Sequence, residues 1–379
     1  LIDKMNLVSR EIITGMPVIR TFGTEKYEEE RFDKANIKLT KTNLFVNRLM
    51  GIMMPSMMLV MNIISILIVW YGAEQIDLGT LQVGTLLAFI TYTMQIIMSF
   101  LMISLVSVMM PRALVSLKRI REILKKEISI VEPENPLAFK EEKKGIVEFK
   151  NVSFKYSDAD EAMLKNISFK ATPGTTTAFI GSTGSGKSTL VNLIPRFFDA
   201  TSGEIYVDGI NIKESSIVEL RNRIGYVPQK GMLFSGTIKS NLMLGNDNLT
   251  EEEMLNAAKV SQSLEFIDAK KDKFESEISQ GGTNVSGGQK QRLSIARAIA
   301  KNPEIYIFDD SFSALDFKTD AALRKALFKH AKDATVLIVA QRISTIMNAD
   351  NIIVLNEGEI VGSGTHKELL KSCKIYKEI

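Results

Sequence analysis

The chain has 379 residues, and its 47 basic and 44 acidic side chains nearly cancel to a formal net charge of +3. This length allows two or three domains with cores of their own, while the balanced charge argues against nucleic acid as a partner. The single cysteine, Cys373, excludes an internal disulfide and a multi-cysteine metal site.

The N-terminal part has the pattern of a membrane protein. The chain begins at Leu1 without the features of a secretory signal, and we expect it to be a piece of a longer protein. Gly15 and Pro17 interrupt the first helical pattern, which predicts a short turn or small helix there. Residues 24–47 are charged but keep helical spacing, as in an extension of the membrane helix that follows.

Two runs without a charged residue, 49–73 and 78–111, are each longer than the ~20 residues that cross a bilayer. They predict spanning helices at about 49–73 and 81–110. A hairpin of core helices in a soluble protein is the alternative, but a soluble core rarely needs so long an uncharged run. Basic residues flank both outer ends, which places those ends in the cytoplasm.

Residues 127–144 contain Pro133, Pro136 and many charges, which is the composition of a linker. From residue 145 onward, apolar runs at 146–149, 177–180, 305–308 and 336–340 alternate with helical stretches. This alternation predicts an α/β domain with a largely parallel sheet.

The segment GSTGSGKST at 181–189 follows one of these runs and completes the pattern G-x-x-x-x-G-K-[ST]. Its glycines let backbone amides approach phosphate oxygens, Lys187 can reach the β- and γ-phosphates, and Ser188 can bind Mg²⁺. Downstream, IYIFDD ends in Asp309, which suits Mg²⁺ through water, and Asp310. Ser286, Gly287 and Gly288 begin a helix whose start is a further anion site.

Together these residues resemble the nucleotide-binding domain of the ATP-binding cassette (ABC) transporters, and the resemblance covers the whole chain. Tyr156 looks like the aromatic side chain that stacks on adenine, and Gln229 looks like the glutamine that senses Mg²⁺ and the membrane domain. Residues 286–289 match the family signature, 313–316 (SALD) match the loop that crosses to a partner domain, and 364–369 match the usual tail.

Membrane helices placed before the cassette are the exporter arrangement, which has six helices in each half. The resemblance then makes residues 1–126 the end of the fourth helix, a coupling segment at about 15–20, and helices five and six, without the first four. Residues 127–144 become the linker and 145–379 the nucleotide-binding domain.

The sequence departs from the family at two positions that face the γ-phosphate. Active members have a glutamate where this chain has Asp310, and a histidine where it has Gln341. A shorter carboxylate misplaces the general base, and an amide cannot become a cation. In the segment before the signature, Gln280 also replaces the usual acidic residue. With these departures the chain resembles the degenerate subunit of a heterodimeric exporter. Such a subunit binds ATP, cleaves it slowly and completes the site of its partner.

The resemblance implies ATP and Mg²⁺ as cofactors. The implied partners are a second half-transporter, the bilayer and a transported small molecule, lipid or peptide. The implied location is a bacterial inner membrane or plasma membrane. Candidate catalytic residues are Asp310 and Gln341, and candidate metal ligands are Ser188, Gln229 and Asp309. The candidate nucleotide-binding residues are Tyr156, Gly181, Ser182, Thr183, Gly184, Ser185, Gly186, Lys187, Ser188, Thr189, Gln229, Ser286, Gly287, Gly288 and Gln289.

Three alternatives stay open at this point. The first is a homodimeric exporter in which Asp310 is a slow base in two identical sites. The second is an ATP-gated channel or regulatory sensor that does not pump. The third, a soluble cassette ATPase that acts on DNA, is disfavoured by the two uncharged runs and by the lack of excess basic charge.

Overall fold

The computed structural model describes residues 1–139 and 144–379. These residues divide into two compact units, Leu1–Glu127 and Ile128–Ile379. Of the predicted linker at 127–144, residues 140–143 lie outside the described part of the chain. The first unit is helical and consists of α1 (Ile2–Phe22), α2 (Glu25–Asp77) and α3 (Val83–Leu124).

The predicted break near Gly15 and Pro17 is wrong, because α1 continues through both residues and the chain turns at Gly23 instead. Gly23 has a left-handed backbone with φ 63°, and its amide closes the helix on the carbonyl of Arg20. A glycine without a Cβ takes this conformation at the least cost, so it ends the helix more effectively than Pro17 does. Proline removes one backbone hydrogen bond, but the remaining bonds carry the helix past it.

Helices α2 and α3 are both long and apolar enough to cross a membrane. The charged stretch at 24–47 is helical and continuous with the first apolar run, as predicted. Large apolar side chains such as Trp70 and Ile103 are exposed on these helices. Such surfaces are stable only against lipid or other helices.

The second unit alternates strands with helices, and this confirms the predicted order of a helical segment followed by an α/β domain. Its strands are β1 (Val147–Phe154), β2 (Leu164–Ala171), β3 (Thr176–Gly181), β4 (Ser202–Val207), β5 (Ile210–Asn211), β6 (Ile224–Val227), β7 (Gly236–Thr237), β8 (Glu277–Ile278), β9 (Ile305–Asp309), β10 (Thr335–Val339), β11 (Asn351–Asn356) and β12 (Glu359–Gly364). Its helices are α4 (Lys187–Leu193), α5 (Ile217–Asn222), α6 (Ile238–Met243), α7 (Glu251–Val260), α8 (Leu264–Asp268), α9 (Gly287–Ala300), α10 (Phe317–His330), α11 (Ile343–Ile346), α12 (His366–Ser372) and α13 (Lys374–Glu378).

The central sheet has the strand order β12-β11-β3-β10-β9-β6, in which every neighbouring pair is parallel except β11 with β12. A second sheet, β2-β1-β4-β5, is antiparallel. The apolar run at 146–149 belongs to this second sheet and not to the parallel one. Strand β1 alternates buried and more exposed positions over its first residues, which is typical of a sheet with one covered face, and the short apolar run did not reveal this.

The central sheet separates two hydrophobic clusters. Along β3, Ala178 and Ile180 belong to the cluster that includes α6, α7, α9 and α10, whereas Phe179 belongs to the cluster with the antiparallel sheet and α4. Successive side chains of a strand point to opposite faces, so β3 is covered on both sides. The phosphate loop therefore begins from a strand that is held rigidly between two layers.

The described part of the predicted linker is attached to the second unit. The backbone amide of Leu137 donates to the carbonyl of Glu214 at 2.8 Å, and the buried guanidinium of Arg196 donates to the carbonyl of Val131 at 3.1 Å. The Glu132 carboxylate accepts from the Ser216 hydroxyl at 2.6 Å. This segment has no regular structure, but polar contacts fix its path.

Candidate nucleotide-binding site

The phosphate loop joins β3 to α4, and its glycines occupy positions that other residues avoid. Gly184 and Gly186 have φ values of 85° and 95°, in the left-handed region. A Cβ on Gly186 would also run into Leu164 and the carbonyl of Met163. The sequence motif thus has a direct conformational reason, since only glycine permits this bend at the start of α4.

Lys187 lies in the first turn of α4 with its side chain directed back into the loop. Its Nζ donates to the carbonyls of Gly181 and Ser182 at 2.8 and 2.7 Å. Burial lowers the pKa of Lys187, and the nearby Asp310 and Asp309 carboxylates oppose this shift. The ammonium group is therefore placed where an anion in the loop would find a partly desolvated cation.

Ser188 and Asp309 form the candidate metal pair. The Ser188 hydroxyl donates to Oδ1 of Asp309 at 2.7 Å, which joins the start of α4 to the end of β9. Burial raises the pKa of Asp309, while the Ser188 hydrogen bond opposes the shift and the Asp310 charge adds to it. A divalent cation between these oxygens would replace this hydrogen bond and relieve the cost of burying the charge.

Gln229, Asp310 and Gln341 follow β6, β9 and β10, whose carboxyl ends lie side by side in the sheet. Gln341 donates to Oδ2 of Asp310 at 2.9 Å, and Gln229 donates to the same oxygen at 3.3 Å. Burial raises the pKa of Asp310, and the hydrogen bond from Gln229 and the Lys187 charge partly offset the shift. Open α/β sheets bind ligands at this edge.

These residues and the phosphate loop enclose one cleft with a volume of ≈ 210 Å³. It is lined by Met163, Thr183, Gly184, Gly186, Lys187, Ser188, Thr189, Gln229, Asp310, Val339 and Gln341. Of the remaining candidates, Gly181, Ser182 and Ser185 belong to the loop itself, and Asp309 contacts it through Ser188. The structure thus brings the predicted loop and the acidic strand end together.

Tyr156 is connected to the same loop. Its hydroxyl lies 3.0 Å from Oγ1 of Thr189, and its ring packs edge to face with Phe154 and Phe198 at centroid distances of 4.8 and 5.4 Å. The ring is partly exposed at the side of the phosphate loop. An aromatic face held in this way suits a stacking role.

The signature residues Ser286, Gly287, Gly288 and Gln289 do not line this cleft. Ser286 is the N-cap of α9, with its hydroxyl accepting from the amide of Gln289 at 3.2 Å and its own amide donating to the Gln289 side chain at 3.0 Å. Ser286 and Gly287 are exposed. The start of α9 therefore lies at the surface and outside the cleft of the chain's own phosphate loop.

The donor set fits a magnesium nucleotide. Within residues 1–139 and 144–379, no group of three or more His, Cys, Asp and Glu side chains gathers into a metal site. Mg²⁺ in nucleotide sites keeps waters and phosphate oxygens and needs only one or two protein ligands, which Ser188 and Asp309 can supply. The ion would neutralise phosphate charge there, and the Lys187 ammonium would supply a second positive charge.

Sequence reasoning missed three residues around the site. Met163 lines the cleft, and no motif marks it. Arg342 opposes the raised pKa of Asp310 by its charge. Gln291, buried in α9, accepts from the amide of Gly231 at 3.0 Å and donates to the carbonyl of Pro228 at 3.3 Å, so it fixes the loop that carries Gln229.

Comparisons with known proteins agree with this geometry. Residues 164–313 match the ABC transporter domain family and residues 2–100 match the ABC transporter transmembrane region. An uncharacterised ABC transporter ATP-binding protein of Mycobacterium tuberculosis is 43% identical over 381 residues, covering 100% of this chain and 65% of the relative. A Staphylococcus aureus protein named as a multidrug export ATP-binding/permease protein is 37% identical over 369 residues, covering 97% of this chain and 64% of its own length.

The chain thus spans about two thirds of the length of the curated relatives it matches. A solved structure of a bacterial Atm1-family ABC exporter with ATP bound has a TM-score of 0.85 at 30% identity, covering 99% of this chain and 67% of that one. The chain therefore belongs to the ABC transporters, as a bacterial membrane protein that joins an exporter-type transmembrane region to a cytoplasmic ABC ATPase domain binding ATP and Mg²⁺.

Proposed function

We propose that the chain is part of a subunit that uses ATP to export a substrate across the membrane. The exporter fold and the relative named for multidrug export support this direction of transport. The transported compound is a small molecule, a lipid or a peptide, and flexible methionine side chains such as Met54 and Met58 would suit a variable substrate.

In this proposal the chain's own site binds ATP and cleaves it slowly. The observation that carries the proposal is Asp310 at the end of β9, where a general base is needed, with Gln341 opposite in place of a histidine. The Asp310 carboxylate is one methylene shorter than a glutamate, and a shift of ~1 Å in a reacting group can cost ~100-fold in rate. Gln341 cannot carry the positive charge that would stabilise a phosphate in transfer.

The signature at residues 286–289 serves a second half-transporter. Ser286 and Gly287 are exposed at the start of α9 and outside the chain's own cleft, so they are free to meet a nucleotide that another chain holds. We expect the partner to carry the glutamate and the histidine that this chain lacks, and to carry an altered signature. The assembly would then have one fast site and one slow site.

We propose that residues 1–126 belong to the membrane domain, that residues 127–144 are the linker and that residues 145–379 form the nucleotide-binding domain. Residues 15–20 are proposed to couple the two functions, now as part of the continuous helix α1. ATP closes the two cytoplasmic domains, the coupling segment passes the closure to the membrane helices, and hydrolysis in the partner's site resets them.

The test compares two variants of the full-length transporter, purified together with its companion half. Asp310→Glu should change total turnover little, while removal of the companion's catalytic carboxylate should reduce it at least ~100-fold. Asp247→Glu is the matched control, because it adds the same methylene on an exposed loop. Turnover that survives loss of the companion's carboxylate would show that the active site is assigned to the wrong chain.

The same experiment separates the main alternatives. A chain that assembles only with itself would show a large change in turnover from Asp310→Glu, because the base of both sites would be altered. An ATP-gated channel would show substrate-independent turnover and no uphill transport into inverted vesicles. The proposal requires uphill transport and ATP turnover that the substrate stimulates.

A further inference from the structure

Gln341 makes its contact with Asp310, although its place in the family pattern predicts a contact with phosphate. Its side-chain amide donates to Oδ2 of Asp310 at 2.9 Å. Gln229, from the next strand along the sheet, donates to the same oxygen at 3.3 Å. An oxygen of an ionised carboxylate accepts two such bonds, so the two amides together saturate Oδ2.

The backbone of Asp310 is fixed as firmly as its side chain. Its amide donates to the carbonyl of Val339 at 3.0 Å, and its carbonyl accepts from the Ser313 hydroxyl at 2.9 Å. Its φ of 48° lies in the left-handed region, which aspartate tolerates better than most residues. The residue itself is 8% exposed. Asp310 is therefore held in place by its backbone as well as by the two amides that donate to Oδ2.

The register of the sheet explains why these residues meet. Strands β9 and β10 are parallel neighbours, with Asp309 opposite Val339. Asp310 and Gln341 leave the same edge of the sheet just beyond that pair. The short carboxylate and the long amide thus reach towards each other across one interstrand gap of ~4.8 Å.

We infer that Gln341 is a positioning residue that holds the Asp310 carboxylate by Oδ2, so that the two departures from the family form one matched pair. The inference rests on the proposed function in one respect, namely that Asp310 is the base of this site. A glutamate at 310 would carry its carboxylate one methylene further and meet the Gln341 amide differently. The effect on kcat of a substitution at either position should therefore depend on which residue stands at the other position.

The test uses the full-length transporter with its companion half, in which the companion's catalytic carboxylate has been replaced. The residual turnover then reports this chain's site, and a chain that assembles with itself can be measured directly. Three variants change only the group that faces Asp310. Gln341→Met removes the donor at nearly constant shape, Gln341→Glu replaces it with an acceptor, and Gln341→His keeps a donor. Gln262→Glu is the charge-matched control at a half-buried position outside the cleft.

We expect Gln341→Met to lower kcat by about 10- to 100-fold, because a misplaced base loses that much, while KM for ATP stays within about twofold. Gln341→Glu should lower kcat at least as far, whereas Gln341→His keeps a donor and should not lower kcat. In an Asp310→Glu background, Gln341→Met should change kcat by less than about threefold, because the pair is already broken.

Two results would overturn the pairing. One is a rise in KM without a fall in kcat for Gln341→Met, which would place the amide on the nucleotide. The other is an equal effect of Gln341→Met in both backgrounds, which would show that the two residues act independently. Failure of the proposed function would give a different result, namely a high absolute rate of ATP turnover at the unchanged site. That result does not depend on the effect of substituting Gln341.

Discussion

Ser286 caps helix α9 and also begins the family signature, and substitution can separate these two roles. Its hydroxyl accepts the Gln289 amide, and the Gln289 side chain returns a hydrogen bond to the Ser286 amide. Loss of an N-cap costs about 1 kcal/mol. For a unit of this size, Ser286→Ala should therefore lower the midpoint of thermal unfolding by about 2–4 °C.

Ser286→Asp should keep the cap, because a carboxylate accepts the same amide. A negative charge in the first turn also gains about 0.3–1 kcal/mol from the helix dipole. The midpoint should then equal or exceed that of the unchanged protein. The same charge would stand where the partner's nucleotide phosphates approach, so ATP turnover of the assembled transporter should fall at least tenfold, equivalent to ~1.4 kcal/mol.

The matched control is Thr250, which caps α7 with the same reciprocal pattern through Glu253. Thr250→Ala and Thr250→Asp should change the melting temperature in the same way and leave turnover unchanged. Scanning fluorimetry and steady-state ATPase assays on one preparation measure both quantities. If Ser286→Asp turned over ATP at the normal rate, Ser286 would be only a helix cap, and its role in the partner's site would be refuted.

Three further outcomes are expected. Lys187→Met should abolish binding of a fluorescent ATP analogue without unfolding the domain, and retained binding would contradict the role of its ammonium group. Burial lowers the pKa of His330, so the contribution of its neutral imidazole to the free energy of unfolding is present above about pH 6.5 and is lost as the pH falls through the folded-state pKa. His330→Gln should reduce this loss in urea titrations. An unchanged dependence of stability on acid pH would contradict this role of His330. Glu132→Ala should accelerate hydrogen exchange at residues 128–139, because the contacts with Ser216 and Ile217 are lost, and unchanged exchange would show that the other contacts suffice.

The phosphate loop could be predicted from the sequence because its motif is a conformational requirement. Gly184 and Gly186 stand where φ is positive, and no other residue types fit there at low cost. Asp309 could be placed at a strand end because four apolar residues precede it and parallel strands are buried on both faces. Motif and burial therefore indicated, before any strand pairing was known, that the loop and the acidic strand end belong to one region.

Other features depend on contacts that no local pattern encodes. The direction of the Gln341 side chain follows from the register of β9 and β10, which are far apart in the chain until they pair. The place of β1 in an antiparallel sheet depends on its pairing with β2 and β4. At Gly15 and Pro17 the composition suggested a break, but the helix continued because nothing there required a left-handed backbone. Local rules failed where long-range pairing decided the outcome.

The Ser286 variants report on a different site from the Asp310 and Gln341 variants, because these residues lie in different parts of the domain. Asp310 lies in the cleft with the chain's own phosphate loop, whereas Ser286 lies outside it. Gln291 connects the two regions, because it sits in α9 and holds the backbone on both sides of Gln229. Gln229 in turn donates to Asp310. If the proposed slow site keeps its ATP, it would therefore hold Gln229, and through Gln291 helix α9, in one arrangement.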